Sequence, residues 1–127
     1  MTVHDIIKLA FANEYEDFET DPVAAENSIE ILNLLLADCF DAEQYYREIH
    51  GSTPLSAIPR VTDMTDVVDY NPMLLATALP FGLEWKYCEQ NLDARAEQYR
   101  ARYINAKLNA GGKYYADRER RRGNDSV

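Results

Sequence analysis

Apolar residues recur at helical spacing near the amino terminus, which predicts an amphipathic helix there. This helix starts at Thr2, a hydroxyl residue that can cap it, with Asp5 in the first turn. Its apolar positions follow three or four residues apart: Val3, Ile6, Ile7, Ala10 and Phe11. We therefore expect a first helix that ends near Ala12. The acidic stretch "NEYEDFETD" that follows shows no clear period and is predicted to be a loop.

A second, longer helical pattern begins at Asp21-Pro22, where aspartate caps and proline takes the first helical position. Its apolar stripe comprises Ala25, Ile29, Leu32, Leu36, Cys39 and Phe40, widened by Ile31, Leu34 and Leu35. So wide a stripe predicts burial on more than one side, by the same chain or by a neighbouring subunit. The pattern continues to Gly51, so we expect one helix up to that glycine.

Residues 52–70, "STPLSAIPRVTDMTDVVDY", break the helical period. Pro54 and Pro59 each lack a backbone donor, and Val61, Val67 and Val68 favour extended backbone. We expect an extended arm across the surface, with short strands as one option. A link of this length without a helix usually has a binding role.

Residues 71–110 return to the helical period. Asn71-Pro72 repeats the cap and proline of the second helix, but Pro80 lies inside the pattern and predicts a kink. Gly82 permits close approach of a neighbouring helix. Either Asn91 or Asp93 ends this helix or caps the last one, whose apolar positions are Ala96, Tyr99, Tyr103, Ile104 and Leu108. Gly111-Gly112 is expected to end it.

These elements predict an all-α fold: a bundle of about four helices with an extended arm in its middle. The chain has 127 residues, enough for one domain with its own core. We place that domain at residues 1–112, with the arm at 52–70, and treat residues 113–127 as a flexible basic C-terminal tail.

Charge is unevenly distributed along the chain. The net charge is −9, yet residues 113–127 hold five basic and three acidic side chains, which leaves eight basic and nineteen acidic ones in residues 1–112. An acidic body repels nucleic acid. The tail's charges are explained by a solvated terminus, by non-specific phosphate contacts, or by an acidic protein partner.

Catalytic and metal-binding patterns are not found. His4 and His50 have no metal-ligand spacing, and the acids at 14–19 lack the alternation and glycine of a calcium loop. Neither a phosphate-binding glycine loop nor a nucleophile elbow occurs. We therefore expect no enzyme and no cofactor, and interpret Cys39 and Cys88 as reduced, buried residues. Without an apolar run of membrane-spanning length or a secretory signal, synthesis in a cytoplasm and no membrane partner are expected.

The order of these pieces resembles the small head–tail connector proteins of tailed bacteriophages, also called adaptor or head-completion proteins. The segments that carry the resemblance are "TVHDIIKLAF", "AAENSIEILNLLLADCFD", "VTDMTDVVDYNP", "TALPFGLEWKY" and "NLDARAEQYRARYINAKL". In that family an "ALPyGLA" helix precedes a polar step and a helix rich in Ala, Tyr and Arg. The likeness covers residues 2–110; the Gly-poor loop at 13–22 and the tail depart from it.

The resemblance implies a helical fold, no catalysis and assembly as a ring, commonly of twelve subunits, beneath the portal protein. The implied location is the head–tail junction of the virion, between the portal and the next tail-side protein, with packaged DNA passing through the lumen. The implied portal-docking residues lie in the tail: Lys113, Tyr114, Tyr115, Arg118, Arg120, Arg121 and Arg122. Contacts between subunits are expected from the arm: Leu55, Ile58, Val61, Met64, Val67 and Val68.

Two other functions stay open at this point. One is a small helical regulatory protein that binds a host protein through its acidic surface. The other is a non-specific nucleic-acid binder that works through the arginines of the tail.

Overall fold

The computed structural model of the protein describes residues 1–12 and 21–125. Within these residues, six α-helices follow in chain order: α1 (Val3–Ala10), α2 (Pro22–Asp38), α3 (Phe40–Ile49), α4 (Leu79–Gln90), α5 (Ala96–Gly111) and α6 (Lys113–Asp125). The predicted all-α bundle is confirmed, with more helices than the expected four. The loop predicted for "NEYEDFETD" falls, except for Asp21, outside the described residues.

Three helix starts follow from short-range chemistry. Thr2 and Asp5 form a reciprocal capping box, each accepting the other's backbone N–H at 3.2 and 3.0 Å. Asp21 Oδ1 accepts the N–H groups of Val23 and Ala24 at the start of α2. In the same way, Asn71 Oδ1 accepts the N–H groups of Met73 and Leu74. All three predicted caps are confirmed.

The single long helix expected from Pro22 to Gly51 was wrong, because the chain bends at Cys39. Cys39 has φ −90° and ψ −1°, which ends α2, while its carbonyl accepts the N–H of Glu43 at 3.1 Å and so starts α3. Its fully buried thiol lies 3.4 Å from the Tyr103 hydroxyl of α5. Packing against α5 thus fixes a bend that the helical period does not reveal. Gly51, with φ +68°, follows α3 as expected.

Pro80 is accommodated by a π-helical turn, Leu74–Ala78, that runs directly into α4. The N–H of Leu79 bonds the carbonyl of Leu74, five residues back, and Pro80 lies at the start of α4, where no N–H is required. Two residues later, a Cβ on Gly82 would lie 2.8 Å from the methyls of Leu35 and 3.0 Å from the Tyr103 ring. The glycine therefore lets α2 and α5 approach α4.

The core forms where α4 meets α1, α2 and α5. Its largest fully buried members include Ile6, Phe11, Leu32, Leu36, Leu74, Leu79, Leu83 and Tyr103. The Tyr103 hydroxyl donates to Asp38, whose carboxylate also receives Lys107 Nζ at 3.1 Å. The tyrosine's polar end is thereby satisfied at the edge of the core.

Of the two roles that the sequence left open, the connection between α4 and α5 shows the first: Asn91 ends α4, whereas the N-cap residue of α5 is Arg95 and makes no side-chain capping bond. Asn91 caps the end of α4, and Asp93 Oδ1 accepts the Arg95 N–H just before α5. Hydrogen bonds from Arg95 lower the pKa of the Asp93 carboxyl to about 2. Between them, Leu92 adopts φ +53°, and the N–H groups of Leu92 and Asp93 bond Glu89 and Cys88 carbonyls. This is a Schellman motif with leucine at the position that usually holds glycine.

The tail, expected to be flexible, is helical as α6 up to Asp125. Gly112, at φ +91°, turns the chain after α5. Tyr115 and Ala116 are then buried, 2 and 6% exposed. The expectation of a flexible tail was wrong, because the run of arginines outweighed these two residues in the sequence pattern. Both face the bundle.

Candidate interaction surfaces

Buried reactive groups offer little for catalysis in the part of the chain that the structure describes. Across residues 1–12 and 21–125, no three His, Cys, Asp or Glu side chains come together as metal ligands. Cys39 and Cys88 are fully buried, and burial raises the pKa of the Cys39 thiol to about 11. None of the helices in those residues is long and apolar enough to cross a bilayer.

The extended arm is attached to α2 and α3 by two side-chain amides. Asn33 donates to the Val61 carbonyl at 2.9 Å and accepts the Val61 N–H at 2.8 Å. Gln44 forms the same pair of bonds with Leu55, both at 2.9 Å. Each amide thus takes the place of a neighbouring strand for one residue of the arm.

Both ends of the arm are fixed by charged groups of α3. Arg47 donates to the Thr53 carbonyl at 3.0 Å and to the Asp69 carbonyl at 2.8 Å. Glu43, only 1% exposed, accepts the Asn71 N–H at 2.5 Å. Burial raises the pKa of Glu43, and the bond from Asn71 and the charge of Arg47 oppose that rise.

The second half of the arm is paired with the amino terminus. The N–H groups of Val3 and His4 bond the carbonyls of Asp66 and Met64, both at 2.9 Å. Thr2 and Val67 form an isolated antiparallel bridge. Outside residues 13–20 and 126–127, this bridge is all that the structure has of the short strands considered for the arm.

The six arm residues predicted to contact a second subunit divide into three pairs. Val61 and Val68 are buried, and Leu55 and Met64 pack partly against the core. Ile58 is 50% exposed and Val67 is 70% exposed. Only this last pair points its apolar surface outward, so a contact between subunits through the arm would rest on Ile58 and Val67.

Helix α6 is held by a small aromatic and cationic cluster. The Tyr115 ring lies 5.4 Å from the Tyr45 ring of α3. Arg118 donates to the Tyr45 hydroxyl at 2.7 Å and its guanidinium lies 4.8 Å from that ring. Gly111, the last residue of α5, lies against the Tyr115 ring, and a Cβ added there would come within 2.4 Å of that ring.

The predicted portal-docking residues therefore fall into two groups. Tyr115 and Arg118 are committed to contacts within the chain. Exposed on α6 are Lys113, Tyr114, Arg120, Arg121 and Arg122. Tyr114, 78% exposed, borders a groove of about 590 Å³ together with Lys113 and three residues of α3: Tyr45, Glu48 and Ile49.

One exposed surface was missed from the sequence. We define the α2 stripe as Val23, Glu26, Glu30 and Leu34, which lie along the side of α2 opposite its buried residues. Val23 is 75% exposed and Leu34 68% exposed. The sequence pattern places Leu34 in a wide buried stripe, but its side chain lies about 100° around the helix axis from that of Leu35. A helical projection centred on Ile31, Leu32 and Leu35 would have shown this.

Comparisons of the chain with models of protein families, with curated proteins and with solved structures find no match.

Proposed function

We propose that the protein is a structural head–tail connector that forms a ring beneath a portal protein and continues the channel for packaged DNA. It acts through surfaces and not through catalysis, and its place is the head–tail junction of a virion. Its partners are further copies of itself, the portal above and the next tail-side protein below.

The observation that carries this proposal is the pre-organised arm. Two amide clamps, at Leu55 and Val61, and the Arg47 bonds at its ends hold the segment in one extended shape. Ile58, between the clamps, and Val67 keep apolar surface facing outward. An extended segment that is already ordered loses little conformational entropy when a second subunit covers it.

Charge distribution supports the same function. Residues 1–112 carry the chain's excess of acidic side chains, so walls formed by this body would repel DNA phosphates and let the duplex slide. On α6, Lys113, Arg120 and Arg122 are exposed, and basic side chains of this kind occur at protein interfaces. They favour an acidic protein surface, such as one on the portal, as the partner of α6.

The test is co-assembly with the portal protein encoded beside this chain, measured by light scattering after size-exclusion chromatography. We expect a complex in which the connector joins the portal with several copies. Ile58→Asp combined with Val67→Asp should prevent that assembly while leaving the circular dichroism spectrum unchanged.

Leu92→Asp is the matched control, because Leu92 is 94% exposed and belongs to the α4–α5 turn and not to the arm. Assembly that survives the arm variant would contradict the role given to the arm. A folded chain that never binds the portal, but captures a host protein, would favour the regulatory function instead.

A further inference from the structure

Two exposed helical faces of this chain match each other in charge and spacing. One is the α2 stripe, with an aliphatic residue at each end and two glutamates between them. The other is the α6 face, which we define as Tyr114 and Arg121, two residues seven positions apart on the outward side of α6. In both, a large apolar side chain is followed two turns later by a charge, and the charges are opposite.

The charges of both faces have no partner of opposite charge among the side chains that the structure describes. Among the side chains that the structure describes, Glu26 and Glu30 have no cation within 4 Å, and Arg121 has no carboxylate within that distance. By contrast, Arg120 and Arg122 lie 3.8 and 3.5 Å from Asp117 and Glu119. Arg121 is therefore the α6 arginine whose charge has no counterpart in the described part of the chain.

The spacing of the two faces agrees. Val23 and Glu30 are seven residues apart, as are Tyr114 and Arg121, and at 1.5 Å per residue each pair spans about 10.5 Å. One alignment thus places Tyr114 over Val23 and Arg121 beside Glu30, with Glu26 within reach of the same guanidinium. The apolar contact would cover two of the most exposed large side chains of the chain.

A single molecule cannot make this contact. Helix α6 packs at the α3 end of the bundle, through Arg118 with Tyr45 and Asp41. Val23 lies at the other end of α2, about 22 Å from Asp38 along the helix axis. Both faces point away from the core, so only a second molecule can bring them together.

We propose that the α2 stripe of one copy binds the α6 face of the next copy. This inference rests on the proposed ring and adds a second contact between neighbouring subunits to the one made by the arm. The contact is head-to-tail, since it uses different surfaces on the two partners, and a repeated head-to-tail contact closes a ring when its rotation allows. Lys113, Arg120 and Arg122, on the flanks of α6, stay available to the portal.

Charge-reversal variants test this pairing. The measured quantity is the fraction of the protein that is found in rings on the portal. Arg121→Glu and Glu30→Arg should each weaken assembly by about tenfold or more, because each sets like charges against each other. The double variant should recover most of the loss, since it restores an opposite pair. Arg100→Glu, about half exposed on α5, is the matched control and should assemble like the wild type.

A disulfide measures the contact directly. Val23→Cys with Tyr114→Cys should give covalent ladders of dimers and higher oligomers under mild oxidation, while native Cys39 and Cys88 are buried and add no background. Normal assembly of both single charge variants, or rings without cross-links, would overturn this interface and leave the ring function standing. A wild-type chain that forms no ring at all would overturn both.

Discussion

Leu92 holds a backbone conformation that suits glycine and not leucine. Its φ of +53° costs a residue with a Cβ on the order of 1 kcal/mol, and its side chain is 94% exposed, so it gains nothing from burial. Leu92→Gly should raise the free energy of unfolding by about 0.5–1 kcal/mol, measured by urea denaturation. Leu92→Ala keeps the Cβ and should change little; an equal gain from alanine would contradict the strain.

Leu79 marks the centre of the core. It is fully buried, directly before Pro80, so Leu79→Asp would place an uncompensated carboxylate among apolar neighbours. We expect a loss of at least about 3 kcal/mol and unfolding near room temperature, seen as loss of helical circular dichroism. Leu92→Asp serves as the exposed control. A soluble, fully helical Leu79→Asp protein would show that this burial is wrong.

At the scale of single residues, the sequence predicts what short-range chemistry decides. The caps at Thr2, Asp21 and Asn71 depend on groups two or three positions away and were found as expected. The exposure of Leu34 depends on which side of α2 meets α4, and groups two or three positions away do not decide that.

Among the elements, the docking of α6 depends on a glycine one turn before Tyr115. A methyl group at Gly111 would collide with the Tyr115 ring, 2.4 Å from its nearest carbon. Gly111→Ala should therefore weaken the docking of α6 by about 1–3 kcal/mol, which is roughly a 5- to 150-fold increase in its open population. Limited trypsin digestion should cut after Arg118–Arg122 correspondingly faster.

Gly123→Ala is the matched control for that experiment. Nothing lies within 4 Å of a Cβ added there, so alanine should leave the cleavage rate unchanged or slow it through its higher helix propensity. If the wild-type tail is already cut as fast as the Gly111→Ala variant, α6 is not docked as described.

Glu43, which accepts a hydrogen bond at the end of the arm, makes the stability of the protein depend on pH. Burial raises the Glu43 pKa, so the folded protein takes up a proton at a higher pH than the unfolded chain. Glu43 should therefore add stability as pH falls from neutrality through its folded pKa, and that gain levels off below the pKa of the unfolded chain. Glu43→Gln removes this contribution. We expect the difference in unfolding free energy, wild type minus variant, to rise as pH is lowered from 7 to 5; a falling difference would contradict it.

The element pattern was only partly visible in the sequence. Helix periods and proline-glycine positions predicted four helices, which cover five of the six helices in the described residues. They could not show the bend at Cys39, which depends on Tyr103 sixty-four residues away. They also missed α6, where a dense run of charge outweighed Tyr115 and Ala116. The surfaces were less predictable than the helices, because exposure depends on packing across the whole bundle.

At the scale of the whole molecule, the exposed surfaces differ in character. The α2 stripe carries Glu26 and Glu30, helix α6 carries exposed arginines, and the arm presents Ile58 and Val67. A chain with unlike surfaces of this kind suits head-to-tail assembly better than a symmetric dimer.

Electron microscopy of the protein mixed with a portal protein encoded beside it tests the central claim most directly. We predict a second ring stacked beneath the portal ring, coaxial with its channel, in which α6 of each subunit lies against α2 of the next. Portal rings that stay bare in the presence of excess folded protein would contradict the connector function.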